Sequence, residues 1–280
     1  MNRQMITATN TLSQLQQKMD IISHNMANVD TSGYKRRDVQ FSDLMYQQFN
    51  NQLNNNQEVG RRTPYGIRQG SGARVGQAQL NLSQGNIIST NRPLDIAFTK
   101  ENQFLKVLVQ DENGSDVQFS RDGAFYLSNV NGQETMLVNS DGRPILDENN
   151  QQIVIPGKVK DYIVSPNGQF TAKLESGQKV SYNLGVIAVN KPQFLEQKGQ
   201  NLFGLPQNMN GLGVSANDIY TEMTGANRAA ISMRQGVLEQ SNVDMGKEMT
   251  ELINVQRAYQ FQARSITMAD QMMGLVNGIR

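Results

Sequence analysis

Two apolar lines of heptad spacing, one at each end of the chain, constrain this sequence more than any other feature. Met5, Leu12, Met19 and Met26 stand seven residues apart, and Ala8, Leu15, Ile22 and Val29 follow each of them by three. Such a seam, with no internal Gly or Pro, predicts a long helix with a narrow apolar stripe. At the other end Leu252, Val255, Tyr259, Gln262, Ile266, Ala269, Met273 and Val276 repeat the same spacing, with Gln262 as the polar interruption. Met245 and Met249 extend the apolar side toward the start of that helix. The flanking positions of the first helix are Gln, Thr, Ser and Asn, so it gains little from ion pairs and is marginal alone in water. Each helix needs a partner. The expected partner is the other helix, the two pairing as a coiled coil that projects from a different middle domain.

The middle, residues 65–225, reads as β. Turn dipeptides recur at Asn113-Gly114, Asp122-Gly123, Asn131-Gly132, Asp141-Gly142, Asn167-Gly168 and Ser176-Gly177. Between them lie short strand-like runs: 104–110, 124–128, 135–138, 152–155, 161–164, 169–174 and 182–189. Asn-Gly and Asp-Gly between such runs are hairpin signals, because these residues tolerate positive φ. No helix-length segment separates the runs, which argues against a parallel α/β sheet. The expected fold class is α+β, mainly β: paired terminal helices around a central antiparallel β-sandwich or barrel-like domain. The expected boundaries are 1–46 for the first helix and its loop, 47–64 for a linker, 65–225 for the β domain and 226–280 for a second linker and the last helix. The stretch 47–62, QQFNNQLNNNQEVGRR, is Asn/Gln-rich and offers little apolar surface to offset the entropy of ordering, so it reads as flexible or extended.

Chemistry is sparse. The 280 residues include no Cys, no Trp and one His, and the formal net charge is +1. Thiolate chemistry, disulfides and most structural zinc sites are thereby excluded, and no whole-chain charge favours nucleic acid or an anionic membrane. His24 lies inside the first heptad helix with no acid or nucleophile marked beside it. The run DENGSD (111–116) lacks the spacing of a calcium loop and reads as a hairpin tip. GSGARVG (70–76) has no lysine and no following helix, so it is not a phosphate loop. KRR (35–37), the only basic run, reads as a solvated loop. No catalytic, cofactor or metal residues are expected, and no small-molecule or nucleic-acid partner. No segment reaches the ~18–20 apolar residues of a membrane helix. The first residues carry no apolar core or cleavage site of a secretory signal, so any export would be without a cleaved leader.

The polar break after the first helix and its counterpart before the last carry a resemblance. NMANVDTSGYKR (25–36) resembles the N-terminal signature of bacterial flagellar rod and hook proteins. Asn25, Asn28, Asp30, Thr31, Gly33 and Tyr34 are its matching positions. GVLEQSNVDMGKEMTELINVQRAYQ (236–260) resembles that family's second signature, with Ser241, Asn242 and Asp244 at its polar break. Residues 65–98 look like the segment that opens the β domain in the distal-rod branch, and FSRDGAFYL (119–127) looks like its Arg-Asp-Gly-x-Phe hairpin. One departure follows: where the family runs Gly-x-Gly-Phe-Phe, this chain has TKENQFLKV (99–107), which puts that turn in question.

The resemblance implies a non-enzymatic subunit that polymerises helically with itself, other rod subunits and hook protein. Terminal helices would form an inner coiled-coil layer and the β domain an outer one. It further implies passage through the flagellar type III export apparatus to the basal body, across the periplasm and wall. Phe41 and Met45 in FSDLM match the spacing of an early export motif. The alternative for that stretch is a short amphipathic helix using Phe41, Leu44, Met45 and Phe49. Two rival classes remain from the residues alone: a wall-cleaving hydrolase and an adhesin-like β module of fixed oligomeric state. On the rod reading, the loop at 28–34 is an assembly joint, and substituting Asp30 or Gly33 would impair polymerisation more than folding.

Overall fold

The computed structural model describes residues 2–43, 46–49, 67–70, 73–76, 78–111, 114–131, 134–199, 201–206 and 209–278. It is mainly β, with a long helix at each end: α1 (Asn2–Ala27), two one-turn helices α2 (Met209–Leu212) and α3 (Ala216–Ile219), and α4 (Met245–Gly278). The chain divides into two compact units. One comprises residues 1–24, 38–78 and 246–280; the other comprises residues 25–37 and 79–245.

In the helical unit, early residues of α1 lie beside late residues of α4, so the two run antiparallel. Lys18 Nζ is 3.7 Å from Glu251 Oε2. A cleft of about 390 Å³ opens between Met5, Ala8 and Thr11 on one side and Ile266, Ala269 and Met272 on the other. Along α1, Leu15 and Ile22 are buried while Met5, Ala8, Leu12 and Met19 are half-buried. On α4, Val255 and Ala269 are buried, Leu252, Tyr259, Gln262, Ile266 and Met273 half-buried, and Val276 is 57% exposed. Met245 and Met249 are exposed as well. Residues 41–43 and 46–49 are strand rather than helix: Phe41–Asp43 pairs with Ala73–Val75, and Tyr46–Phe49 pairs in the same register with Ile67–Gly70. The start of the Asn/Gln-rich stretch is therefore strand, and the rest of it, like Leu44 and Met45, lies outside the described residues. Gln14 on α1 accepts the Val75 N–H at 2.6 Å, and Lys18 Nζ sits 5.3 Å from the Phe41 ring centroid.

The β unit is built on a curled six-stranded antiparallel sheet. Its order is 196–199, 202–204, 114–120, 103–111, 186–189, 220–222. Two three-stranded antiparallel sheets accompany it, at 126–129, 134–138 and 154–156 and at 159–164, 169–174 and 179–183. The strand Gln103–Asp111 carries apolar residues on both faces because both are covered. Leu105, Val107 and Val109 join Leu137, Ile155, Phe170 and Val186 in the larger core. Phe104 lies on the opposite face with Phe119, Ile187 and Phe203. Lys106, buried in the same strand, is matched by Glu222 at 2.6 Å and Asn150 at 2.9 Å. The run 182–189 is interrupted at Gly185, where a Cβ would stand 2.5 Å from the Asp147 carbonyl oxygen. At the departure from the family pattern, none of residues 99–102 has positive φ. The turn therefore needs no glycine; the Thr99 N–H donates to Ser232 O at 2.9 Å. The stretch after residue 226, expected as linker, contains two short strands: Met233–Gln235 pairs with 96–98 and Val237–Glu239 with 87–89.

Candidate assembly junction at the two signature loops

Within the β unit the two polar breaks come together, and the residues that join them are mostly buried. The chain leaves α1 by folding back on Asn25. That side chain accepts the Tyr34 hydroxyl and the Arg37 N–H, both at 3.1 Å, and donates to Arg37 O at 3.0 Å. Local bonds shape the turn: Asn28 N–H to Asn25 O, Val29 N–H to Met26 O and Thr31 N–H to Asn28 O. Val29 thus lies in the turn, beyond the last helical residue Ala27. Gly33 has φ +68°, and a Cβ there would meet Arg121 O at 2.5 Å and Asp122 N at 2.8 Å. Its N–H donates to Glu239 O at 2.8 Å. Gly33 is therefore a residue of the β unit's own fold, not a free joint. Asp30 and Asp244 are exposed, while Thr31 and Ser241 are half-buried.

The second loop grips the first through Asn242. Its Oδ1 accepts the Arg36 N–H at 2.7 Å, and its Nδ2 donates to Asn81 O and Ser83 O at 3.0 and 2.9 Å. Ser241 Oγ accepts the Val243 N–H at 3.3 Å. Between the loops lies a charged cluster with almost no solvent exposure. Glu239 takes Lys35 Nζ on Oε1 and Arg121 Nε on Oε2, both at 2.7 Å, and also the Gly85 N–H at 3.0 Å. Lys35 Nζ also donates to Ser83 O at 2.8 Å. Arg121 Nη1 donates to Glu101 O and Gln103 O, and the guanidinium lies 5.3 Å from the Phe98 ring and 5.7 Å from the Phe104 ring.

Burial pushes the Lys35 ammonium below its usual range, with the neighbouring Arg121 charge acting in the same sense. Burial pushes the Glu239 carboxyl up, but Arg121 and Lys35 outweigh it and hold it below the ordinary carboxylate range. Two cations on one carboxylate leave a net positive charge, partly spread over backbone carbonyls and the two rings.

The KRR run is therefore not a solvated loop: Lys35 is 1% exposed and Arg36 is 9% exposed. The Arg-Asp-Gly segment also does more than turn a hairpin. Arg121 reaches Glu239. Asp122 accepts the Ala124 N–H at 3.1 Å and the Ser140 hydroxyl at 2.9 Å. Its carboxyl is pushed up by burial. Gly123 passes so close to Ile96 that a Cβ would lie 1.8 Å from its carbonyl oxygen, and its φ is not positive. A polar cleft of about 390 Å³ opens nearby, lined by Asn28, Thr31, Ser32, Asp122, Asn139 and Tyr126 among others. Among the described residues no group of three His, Cys, Asp or Glu is placed to hold a metal. No helix among them is long and apolar enough to cross a membrane.

Sequence reasoning missed Glu239, Arg121 and Lys35 as a set. The available signal was a lone acid ending the apolar strand Val237–Glu239 and two basic residues inside the NMANVDTSGYKR and FSRDGAFYL motifs. A count of charges cannot pair residues 118 and 204 positions apart.

These segments are the ones that known proteins share. Residues 5–35 match the family described as flagella basal body rod protein. Residues 102–172 match the flagellar hook protein FlgE/F/G D1 domain. Residues 234–279 match the flagellar basal body rod FlgEFG protein C-terminal region. The flagellar hook-basal body complex protein FlhP of Bacillus subtilis is 45% identical over 285 residues, covering 100% of both chains. The flagellar basal-body rod protein FlgG of Buchnera aphidicola subsp. Schizaphis graminum is 33% identical over 91% of each chain. FlgG of Borreliella burgdorferi is 30% identical over 100% of this chain and 99% of its own. With matched segments spanning both signature loops and the Arg-Asp-Gly strand, and full-length relatives at this identity, the chain belongs to the flagellar basal-body rod and hook protein family.

Proposed function

We propose that this chain is a structural, non-enzymatic subunit of the flagellar basal-body rod, polymerising helically with itself into the shaft that carries torque from motor to hook. In that polymer α1 and α4 pair as a coiled coil, and the β domain, residues 65–225, packs outside it. The observation that carries the reading is a second apolar line on α4. Phe261, Met268 and Leu275 stand seven residues apart, with Met272 between the last two, and are 68%, 54%, 70% and 48% exposed. The line runs one position ahead of the seam that faces α1. Met268 and Met272 also border the cleft toward α1, while Phe261 and Leu275 are the most exposed of the four. A helix with two adjacent heptad lines, one facing its own chain and one largely in water, is patterned for a second neighbour. In a one-component shaft that neighbour is another copy, and a repeating heterologous contact generates an open helix rather than a closed ring. The test is sedimentation of purified chain against concentration. Growth that Phe261→Ser and Leu275→Ser abolish, with the far-UV circular dichroism spectrum unchanged, is expected. A discrete oligomer at all concentrations would favour the adhesin-like module, and wall lysis by the pure protein would favour a hydrolase.

The place we propose along the shaft is distal, next to the hook, supported by the resemblance of residues 65–98 to the distal-rod branch. Rod neighbours and hook protein are then its partners. The flagellar type III apparatus is its route of export across the envelope without a cleaved leader, with Phe41 and Met45 as the candidate motif. Basal bodies from a deletion strain should show a proximal rod without hooks. Intact hooks would refute the distal position.

A further inference from the structure

Residues 231–242 hold the β unit shut. Their backbone is tied to segments far upstream: Gly236 N–H to Asp95 O at 2.7 Å, Thr90 N–H to Gly236 O at 3.0 Å, and Gln240 N–H to Asn86 O at 2.8 Å. Gln235 ties them to the 159–164 strand as well, accepting the Val164 N–H and donating to Tyr162 O. Ile231 and Met233 complete the larger core. Glu239 is the carboxylate that both Lys35 and Arg121 contact.

Before this segment arrives, the edges at 87–89 and 96–98 lack their strand partners. Lys35 and Arg121 would then be buried without a counter-ion, a strongly unfavourable arrangement. Gly33 sits against the backbone of Arg121, so the first loop cannot seat until Arg121 has.

We propose that residues 231–242 are a closing strap: the β unit locks, and the loop at 33–36 becomes buried, only when this C-terminal segment docks. Folding then has an order. The hairpins at 103–120 and 159–183, whose contacts are local, form first. The segments 33–36, 84–98 and 121–123 then seat together with the strap in one later step. The segments 33–36, 84–98 and 121–123 stay open until the last fifth of the chain is delivered. This inference does not depend on what the folded subunit assembles into.

Pulse-labelled hydrogen exchange during refolding of the full chain, read peptide by peptide by mass spectrometry, tests it. Peptides containing Gly33–Arg36, Gly85–Asn86 and Met233–Asn242 should gain protection in one shared phase, slower than 103–120 and 169–183. Protection of 33–36 in a phase distinctly faster than the strap overturns the proposal. In the native state, Glu239→Gln should speed exchange of both 33–36 and 233–242 by about tenfold or more while leaving 169–183 unchanged. Unchanged exchange at 33–36 overturns it. The charge condition is tested by Lys35→Met, Arg121→Met and Glu239→Met together, an apolar replacement that buried ion clusters tolerate. In that variant no buried cation is left without a counter-ion, so native-state exchange of 33–36 and 233–242 should stay much closer to the parent's than in Glu239→Gln; exchange as fast as in Glu239→Gln overturns the charge argument.

Discussion

Gly33→Ala separates two reasons for a glycine. The backbone at Gly33 has φ +68°, which costs an alanine about 1 kcal/mol relative to glycine. The added Cβ would also stand 2.5 Å from Arg121 O and 2.6 Å from its carbonyl carbon. Relieving that overlap means moving backbone rather than a flexible side-chain tip, and overpacking of this kind costs about 1–3 kcal/mol. The expected loss is therefore about 2–4 kcal/mol, with Arg121 pushed away from Glu239 as the local consequence. Gly142→Ala is the control. Its φ is +79° and a Cβ there meets nothing within 4 Å, so only the conformational cost of about 1 kcal/mol applies. Native-state exchange of the Lys106 amide, bonded to Gly185 O at 2.9 Å in the core, reports opening of the β unit. Gly33→Ala should speed it by roughly 30- to 1,000-fold and Gly142→Ala by about fivefold. Equal acceleration in the two variants would refute the close-approach argument and leave only the shared left-handed conformation.

Asp122→Asn should be neutral to slightly stabilising at pH 7. Burial disfavours the charged form, and an amide can still accept from Ala124 N–H and donate to the Ser140 hydroxyl; Asp122→Ala, which does neither, should cost about 1–2 kcal/mol in urea unfolding. Asn242→Ala removes the acceptor of the Arg36 N–H and the donor to Asn81 O and Ser83 O, and should destabilise the β unit by about 2–3 kcal/mol by the same assay. The pH dependence has a definite sign. The folded Glu239 carboxyl is held below its unfolded value, so its contribution is complete above about pH 4.3 and is lost as pH falls through the lower folded value. Asp122 has the opposite sign, its penalty easing as pH falls through its raised folded value. Any stability advantage of Asp122→Asn over the Asp122 chain should therefore shrink as pH falls through the raised folded value, and the low-pH limb due to Glu239 should vanish in Glu239→Gln.

What the sequence made legible was what depends on local pattern. Leu15, Ile22, Val255 and Ala269 announce their helix stripes by spacing alone, and Asn167-Gly168 and Ser176-Gly177 announce turns whose glycines have φ +77° and +85°. Positions whose meaning depends on distant neighbours were opaque. Lys35 reads as solvent-facing because lysines mostly are, and only the fold supplies Glu239 beside it. Gly123 reads as a turn glycine, yet its reason is the carbonyl of Ile96. The strand 114–120 is hard to see because its first half, Gly-Ser-Asp, is exposed and polar and pairs across the hairpin with 109–111. The segment 41–49 lacks a helix stripe of sufficient length, and its strand partner lies past an Asn-rich stretch that pattern reasoning treats as a stop.

The two units differ in how much remains for a neighbour to satisfy. In the β unit four buried cations, Lys35, Arg121, Lys106 and Arg228, each contact a carboxylate. In the helical unit apolar side chains stay in water. Burying Phe261, Met268, Met272 and Leu275 from about half exposure would contribute roughly 3–8 kcal/mol, at 1.5–3 kcal/mol for each fully exposed side chain. Bringing two molecules together costs about 4–15 kcal/mol in lost freedom alone. One such contact therefore makes at best a weak dimer, and stability comes only where a copy meets several neighbours at once. That arithmetic favours a lattice that grows above a threshold concentration over a small fixed oligomer.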